Sequence, residues 1–418
     1  MTSKERILKA LAHQAPDKTP VDFGSTPVTG IHVLAVERLR SYFGFEERPV
    51  RVIEPYQMLG EIDDELMEAL GIDVIGLSPK NNMFGILNSG ELKEFRTFWG
   101  QTVLLPKNFN TSYDENGDLL IHPEGDVTIP ASGKMPKASY FFDAIIRQDP
   151  INETKLDPAD NLEEFTAISE EDLNYWREEA GKLNGTDKAV IANFGGTAFG
   201  DIALVPGLNL KHPKGIRDIS EWYMSVIMRP DYIHEIFSRQ SDTAISNLEK
   251  IHAVVGANVD IAFLCGTDFG TQDSQFCGID TLEEMYIPYY KKLNDWIHTH
   301  TNWKTFKHSC GAVEPFINSF IDAGFDILNP VQISATGMEP QHLKDTYGDR
   351  ITFWGGGIDT QQVLSFGTVG EVEKQVAQNL KIFSKNGGYV FNTVHNIQAN
   401  VPPENLIAML NTLKRVNS

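Results

Sequence analysis

Two side chains that bind transition metals stand two residues apart in Lys307-His308-Ser309-Cys310-Gly311. On an extended strand positions i and i+2 share a side, so His308 and Cys310 can converge on one point. Imidazole and thiolate are the ligands that zinc favours most. A third nitrogen is offered by His395 in Asn392-Thr393-Val394-His395-Asn396-Ile397-Gln398. Three protein ligands with one open position make a catalytic zinc site, whereas four make a structural one. The competing reading of a His-x-Cys pair is packing, because cysteine often serves as a small buried apolar side chain. Cys265 is a possible substitute ligand, and Cys277, set in a loop, reads as structural.

These residues act together only if the chain brings them to one place. Short apolar runs, each followed by Gly, Ser, Asn or Asp and then by a helical pattern, fall at residues 21–23, 73–76, 190–194, 260–264, 305–308, 326–329, 352–354 and 389–393. Strand alternating with helix is the signature of a parallel sheet. Eight such units close most simply into a (β/α)8 TIM barrel, and the G-x-G-x-x-G turn of a doubly wound sheet is missing. Capping boxes at Thr2 with Glu5, Thr281 with Glu284 and Thr368 with Glu371 mark helix starts, and Gly324 marks a stop. The first of these helices is an N-terminal extension to the barrel. The gap between the second and third strands is too long for one helix. Alternating patterns at 102–105 and 119–121 flank a turn at 114–118, which predicts a β-hairpin insertion between strands 2 and 3, within about 95–150. An acidic helical excursion follows at about 160–185; a solvated helix is its plain reading and a docking face the alternative. Residues 1–418 are read as a single domain.

In a barrel of this kind, reactive residues sit where strands end and loops begin. His308 and Cys310 end the fifth strand and His395 the eighth. Other strand ends are polar: Ser25, Thr26 and Thr29, Asn193 and Thr197, Asp268, Asn329 and Gln332, Asp359, and Asn396 with Gln398. A ring of such groups at one mouth points to a ligand or water as their partner. Asp268 and Asp359 are the candidates for proton transfer or for orienting an imidazole, with a helix N-cap as the alternative for each. Asn193, Asn329, Gln332, Asn396 and Gln398 are the candidates for substrate binding. Gly355-Gly356-Gly357 would let backbone approach a ligand closely.

The formal charge of −21, from 57 acidic and 36 basic residues without a basic run, argues against nucleic-acid binding. Three cysteines are too few for a disulfide framework in 418 residues. The opening MTSKERILKALAHQ is charged where a signal peptide would be apolar, and no apolar run is long enough to span a bilayer. A cytoplasmic protein without a membrane partner is expected.

Several segments resemble the uroporphyrinogen decarboxylase superfamily, in particular its corrinoid-dependent methyltransferase branch. They are 308–315, 326–332, 353–359, 387–391 with 395–398, and 401–405, in a likeness that runs from Glu5-Arg6-Ile7-Leu8 to the last helix. The resemblance implies a barrel whose zinc activates a thiol or an ether oxygen. It also implies that the methyl group travels on a methylcobamide, a corrinoid carried by a partner protein. In the coenzyme M methyltransferases of this branch the ligands are a His-x-Cys pair and a later Cys. His308 and Cys310 match the pair, while His395 stands where the later Cys would be. That exchange makes the site less thiolate-rich and opens the possibility of a methoxylated compound as the methyl donor.

The function expected on these grounds is zinc-dependent methyl transfer between a corrinoid-binding protein and a small-molecule methyl donor or acceptor, with O-demethylation as one form. A homodimer is left open. True uroporphyrinogen decarboxylases carry an Arg-rich segment after the first strand, where this chain reads Phe23-Gly24-Ser25-Thr26-Pro27-Val28-Thr29-Gly30. Decarboxylation of a tetrapyrrole, with Asp268 or Asp22 stabilising a protonated pyrrole, is therefore the second expectation. A non-catalytic corrinoid or tetrapyrrole carrier is the third.

Overall fold

Seven short strands carry the architecture, and each alternates between two apolar environments. In Ala189–Ala192 and Ile261–Cys265, residues Ala189, Ile191, Ile261 and Phe263 point to an inner cluster, whereas Val190, Ala192, Ala262 and Leu264 pack against helices. Burial on both faces is what a parallel sheet wrapped by helices requires. The computed structural model describes residues 1–417, apart from the side chain of Cys265.

The strands Val74–Leu77, Ala189–Ala192, Ile261–Cys265, Lys304–His308, Ile327–Asn329, Thr352–Trp354 and Tyr389–Val390 are all parallel and neighbour one another in chain order. The result is an α/β fold with a curled, TIM-like parallel sheet. Its two edges meet through Val21. The Val21 carbonyl accepts from Asp73 N at 2.8 Å on one side, and on the other Phe391 N donates to Pro20 O at 2.8 Å. The strand expected at 21–23 thus shrinks to a single bridge. Asp22 ends it by turning its carboxylate to the amide and hydroxyl of Ser25, at 3.2 and 2.7 Å, and Gly24 then takes φ +91°.

Helix Ser3–Leu11 has the expected capping box between Thr2 and Glu5. It places Ile7 and Leu11 in the inner cluster with Val74, Ile191, Phe306 and Trp354. Its backbone bonds run from Lys4 N to Asp187 O and from Gly388 N to Ala10 O, residues that precede two strands. The helix therefore covers the N-terminal end of the sheet, and the C-terminal end is left for chemistry. Arg6, itself buried, locks this closure by pairing with Asp73 at 2.5 Å and Asp17 at 2.8 Å.

Apart from helix Asp64–Leu70 and the barrel strand Val74–Leu77, residues 50–144 build two four-stranded sheets rather than one hairpin. Thr102–Pro106 pairs antiparallel with Leu92–Arg96 and parallel with Val50–Glu54, a segment that the sequence left unassigned. The turn at 114–118 instead joins Thr111–Tyr113 to Leu119–Ile121, and Lys134 bridges Asp114 and Asp118 at 2.8 Å each. The acidic excursion contains helix Glu170–Lys182, which buries Leu173, Trp176 and Ala180 and turns its acidic residues outward. The capping box at Thr368 with Glu371 is present, and Gly324 follows Ile317–Asp322 at φ +92° as expected. The one expected at Thr281 is not: helix Ile279–Met285 starts earlier, after extended Gly278, without a side-chain cap. Among the described residues no helix is long and apolar enough to cross a membrane.

Candidate metal centre

The two-residue period of the strands sets the site. Phe306 and Ile327 face the inner cluster, so His308 and Asn329, each two residues on, stand one layer above them. They are also register partners across neighbouring strands. His308 Nδ1 lies 2.6 Å from Asn329 Oδ1, and Asn329 Nδ2 donates to Trp354 O at 2.8 Å. Because the amide nitrogen faces a carbonyl, the amide oxygen must face the imidazole. His308 then carries its proton on Nδ1 and presents the Nε2 lone pair to the barrel mouth.

That lone pair points at Cys310, whose Sγ is 3.4 Å from Nε2. Cys310 is fixed through its backbone, its N–H donating to Asp268 Oδ1 at 2.6 Å. Gly311, at φ +89°, lets the chain leave against Gly270, where an added Cβ would come within 2.2 Å of backbone. The His395 ring lies 5.5 Å from that of His308, centroid to centroid, at 72°. One ligand atom from each of His308, Cys310 and His395 falls within 4.8 Å of the other two. Zinc held at bond lengths of ~2.0–2.3 Å would set such atoms roughly 3.3–3.8 Å apart, a separation that His308 Nε2 and Cys310 Sγ already show.

The electrostatics suit a cation. Burial, helped by Lys307 and opposed by Asn329, lowers His308 to about 3. Burial and the neighbouring His308 lower His395 to about 4 against the opposing pull of Asp268. Both imidazoles are neutral at physiological pH and have a lone pair to give. Burial and the charge of Asp268 push the Cys310 thiol well up, so a bound cation would have to displace its proton. The donor types, the two neutral imidazoles and the His308–Cys310 spacing thus fit a zinc ion, which His308, Cys310 and His395 would hold with the thiol deprotonated.

A cavity of about 450 Å³ opens beside the cluster, lined by His308, His395 and Asp268 together with residues of the insertion and of the 193–204 loop. Of the five amides expected to meet substrate, only Asn193 lines it among the described residues, its Oδ1 accepting from Gly195 N at 3.2 Å. Asn329 orients His308 instead. Gln332 accepts from Gly311 N at 2.8 Å and donates to Gln272 at 2.9 Å, bracing the loop after Cys310. Asn396 is fully buried and ties Gly30, Pro27 and Gln57 together, so it shapes the wall from behind. Gln398 donates to Asn396 O at 3.3 Å and stays out of the wall.

Asp268 reaches both the cavity and the cluster, its Oδ1 lying 3.6 Å from His308 Nε2. Asp359 does neither. Its two oxygens accept from Gln361 N and Gln362 N at 3.1 Å, so it closes a turn; the helix N-cap offered as the alternative is not formed either, because Val363–Phe366 starts after Gln362 without a side-chain cap. Thr26 and Thr197 line the cavity, whereas Ser25 and Thr29 sit behind it. Cys277 is half-buried and its thiol is pushed up to about 11 by burial. The side chain of Cys265 lies outside the described residues. The sequence reading missed Glu54 and Asp201, both in the wall; Glu54 ends the alternating run Val50–Glu54, a signal that could have found it.

Residues 211–416 match the family model of uroporphyrinogen decarboxylase (URO-D), which bears out the family resemblance over that stretch. No curated protein matches the chain. Among solved structures, a methyltransferase from Methanosarcina mazei superposes with a TM-score of 0.54 at 14% identity, with 100% of each chain covered. At that identity the likeness concerns the fold.

Proposed function

We propose that this protein is a methyltransferase that moves a methyl group between a corrinoid on a partner protein and a thiol or methoxylated small molecule. Zinc held by His308, Cys310 and His395 is its cofactor. The observation that carries this reading is the convergence of three ligand atoms within 4.8 Å at the edge of a 450 Å³ cavity. When bound, the ion supplies Lewis acidity toward the heteroatom that bears or receives the methyl group. Asn329 holds the His308 ring in the one tautomer that leaves Nε2 free, and Asp268 pins the backbone that carries the thiol. The cavity seats the small molecule beside them.

The composition of the wall bears on the decarboxylase alternative. It contains neither lysine nor arginine among the described residues, while Glu54, Asp201 and Asp268 face inward. Apart from the metal, a polycarboxylate would meet no positively charged side chain in that wall, only acidic ones. Asp22 is fully buried, bonded to Ser25 and to the Trp354 indole at 2.9 Å, and is not part of the wall.

The test uses free methylcobalamin in place of the partner. With a thiol acceptor, the sulfur gains the methyl group, cobalt leaves as cob(I)alamin and the thiol proton goes to solvent. With reduced cobalamin and a methoxylated aromatic, methylcobalamin and a phenol form. Either conversion, lost on changing Cys310 or His395 to alanine, supports the reading. Carbon dioxide release from uroporphyrinogen without methyl transfer would refute it.

A further inference from the structure

The cavity wall has a charge pattern that the metal centre does not use. Asp268 is engaged with the Cys310 amide, but Glu54 and Asp201 reach the cavity from two other segments. Asp201 is only 9% exposed. Its Oδ1 accepts from Ala203 N at 2.9 Å, and its Oδ2 has no hydrogen-bond partner among the described residues. That free oxygen lies 2.5 Å from where a Cβ on Gly266 would stand, so the absence of a side chain at Gly266, itself in the wall, keeps it open. Glu54 is held by the N–H groups of Tyr56 and Gln57 at 2.9 and 2.8 Å, with no cationic side chain beside it.

Carboxylates taken out of water are costly, and burial accordingly raises Glu54 to about 7 and Asp201 to about 6, the latter in spite of the opposing charge of Lys307. A cation in the cavity would relieve that cost, and an anion would add to it. The low-dielectric wall strengthens both effects. Tyr56 and Phe263 border the same cavity, and an aromatic ring tolerates a nearby cation better than an anion.

We infer that the cavity selects a substrate bearing a positively charged nitrogen, placed against Asp201 and Glu54, and rejects molecules of similar size that carry a carboxylate or sulfonate. The inference rests on the methyl-transfer reading only in calling the bound molecule a substrate; charge selection is a property of the wall.

The experiment compares three probes that share one scaffold: 3,4-dimethoxybenzylamine, 3,4-dimethoxybenzyl alcohol and 3,4-dimethoxybenzoate. Their binding at about pH 7 is measured by calorimetry on the wild type and on Asp201→Asn and Glu54→Gln, before and after chelator treatment. The amine should bind at least about tenfold more tightly than the benzoate, with the alcohol between them, and at least one variant should reduce that preference severalfold. Failure of the amine to bind, a benzoate that binds as well, or a preference unchanged in both variants would overturn the inference. Because no turnover is needed, the result stands whether or not methyl transfer is found.

Discussion

The side-chain amide of Asn329 joins the His308 imidazole, 2.6 Å away, to the Trp354 carbonyl, 2.8 Å away, across three adjacent strands. One amide thereby fixes which imidazole nitrogen can serve as a ligand. Asn329→Ala should lower zinc affinity about 10–100-fold while the far-ultraviolet spectrum stays unchanged. Competition against a chromophoric chelator measures it, and an affinity equal to that of the wild type would detach Asn329 from the metal centre.

Gly311 is the joint that turns the chain after Cys310. A Cβ there would lie 2.2 Å from the Gly270 carbonyl carbon, and φ is +89°. Gly311→Ala should therefore cost more than ~2 kcal/mol and lower the thermal unfolding midpoint, with loss of bound metal. An alanine variant with an unaltered midpoint would show that this loop rearranges freely.

Glu54 gives the stability a dependence on pH of defined sign. Burial raises its carboxyl from 4.5 to about 7, so in that interval the folded chain keeps a proton that the unfolded chain has released. Its contribution is complete below the unfolded value and is lost as pH rises through the folded one, on the order of 3 kcal/mol in all. Asp22 and Asp201, raised to about 6 by burial, act in the same direction. The unfolding free energy in urea of the wild type relative to Glu54→Gln should fall between about pH 4.5 and pH 8. A difference that stays flat would show that Glu54 titrates normally.

Asp359 caps a turn and touches neither the cavity nor the cluster. Asp359→Ala should cost about 1–2 kcal/mol of stability and leave kcat for methyl transfer within about twofold. A large fall in kcat with stability unchanged would return it to the reacting groups.

The later strands were legible because each is a short run buried on both faces and followed by a turn residue, as at Ile327–Asn329 and Thr352–Trp354. The insertion was not. Its strands are two to five residues long, and Val50–Glu54 pairs with Thr102–Pro106 across a separation that local patterning cannot encode. His308, Cys310 and His395 announced themselves by ligand chemistry and by position at strand ends. An amide at a strand end reads the same whether it faces substrate or a neighbouring imidazole, so the part played by Asn329 needed the register of its strand against Lys304–His308. The alternating run Val50–Glu54 marks Glu54 as a strand end, but that it and Asp201 meet at the cavity depends on how the insertion and the 193–204 loop fold over the mouth, which no local signal states.

The most direct test of the metal centre is elemental analysis of protein purified without chelators, alongside His308→Ala, Cys310→Ala and His395→Ala. About one zinc per wild-type chain is expected, with metal lost or sharply reduced in all three variants. A wild type that neither carries zinc nor takes it up on reconstitution, or variants that retain it in full, would contradict the account and leave the three residues as ordinary parts of the pocket wall.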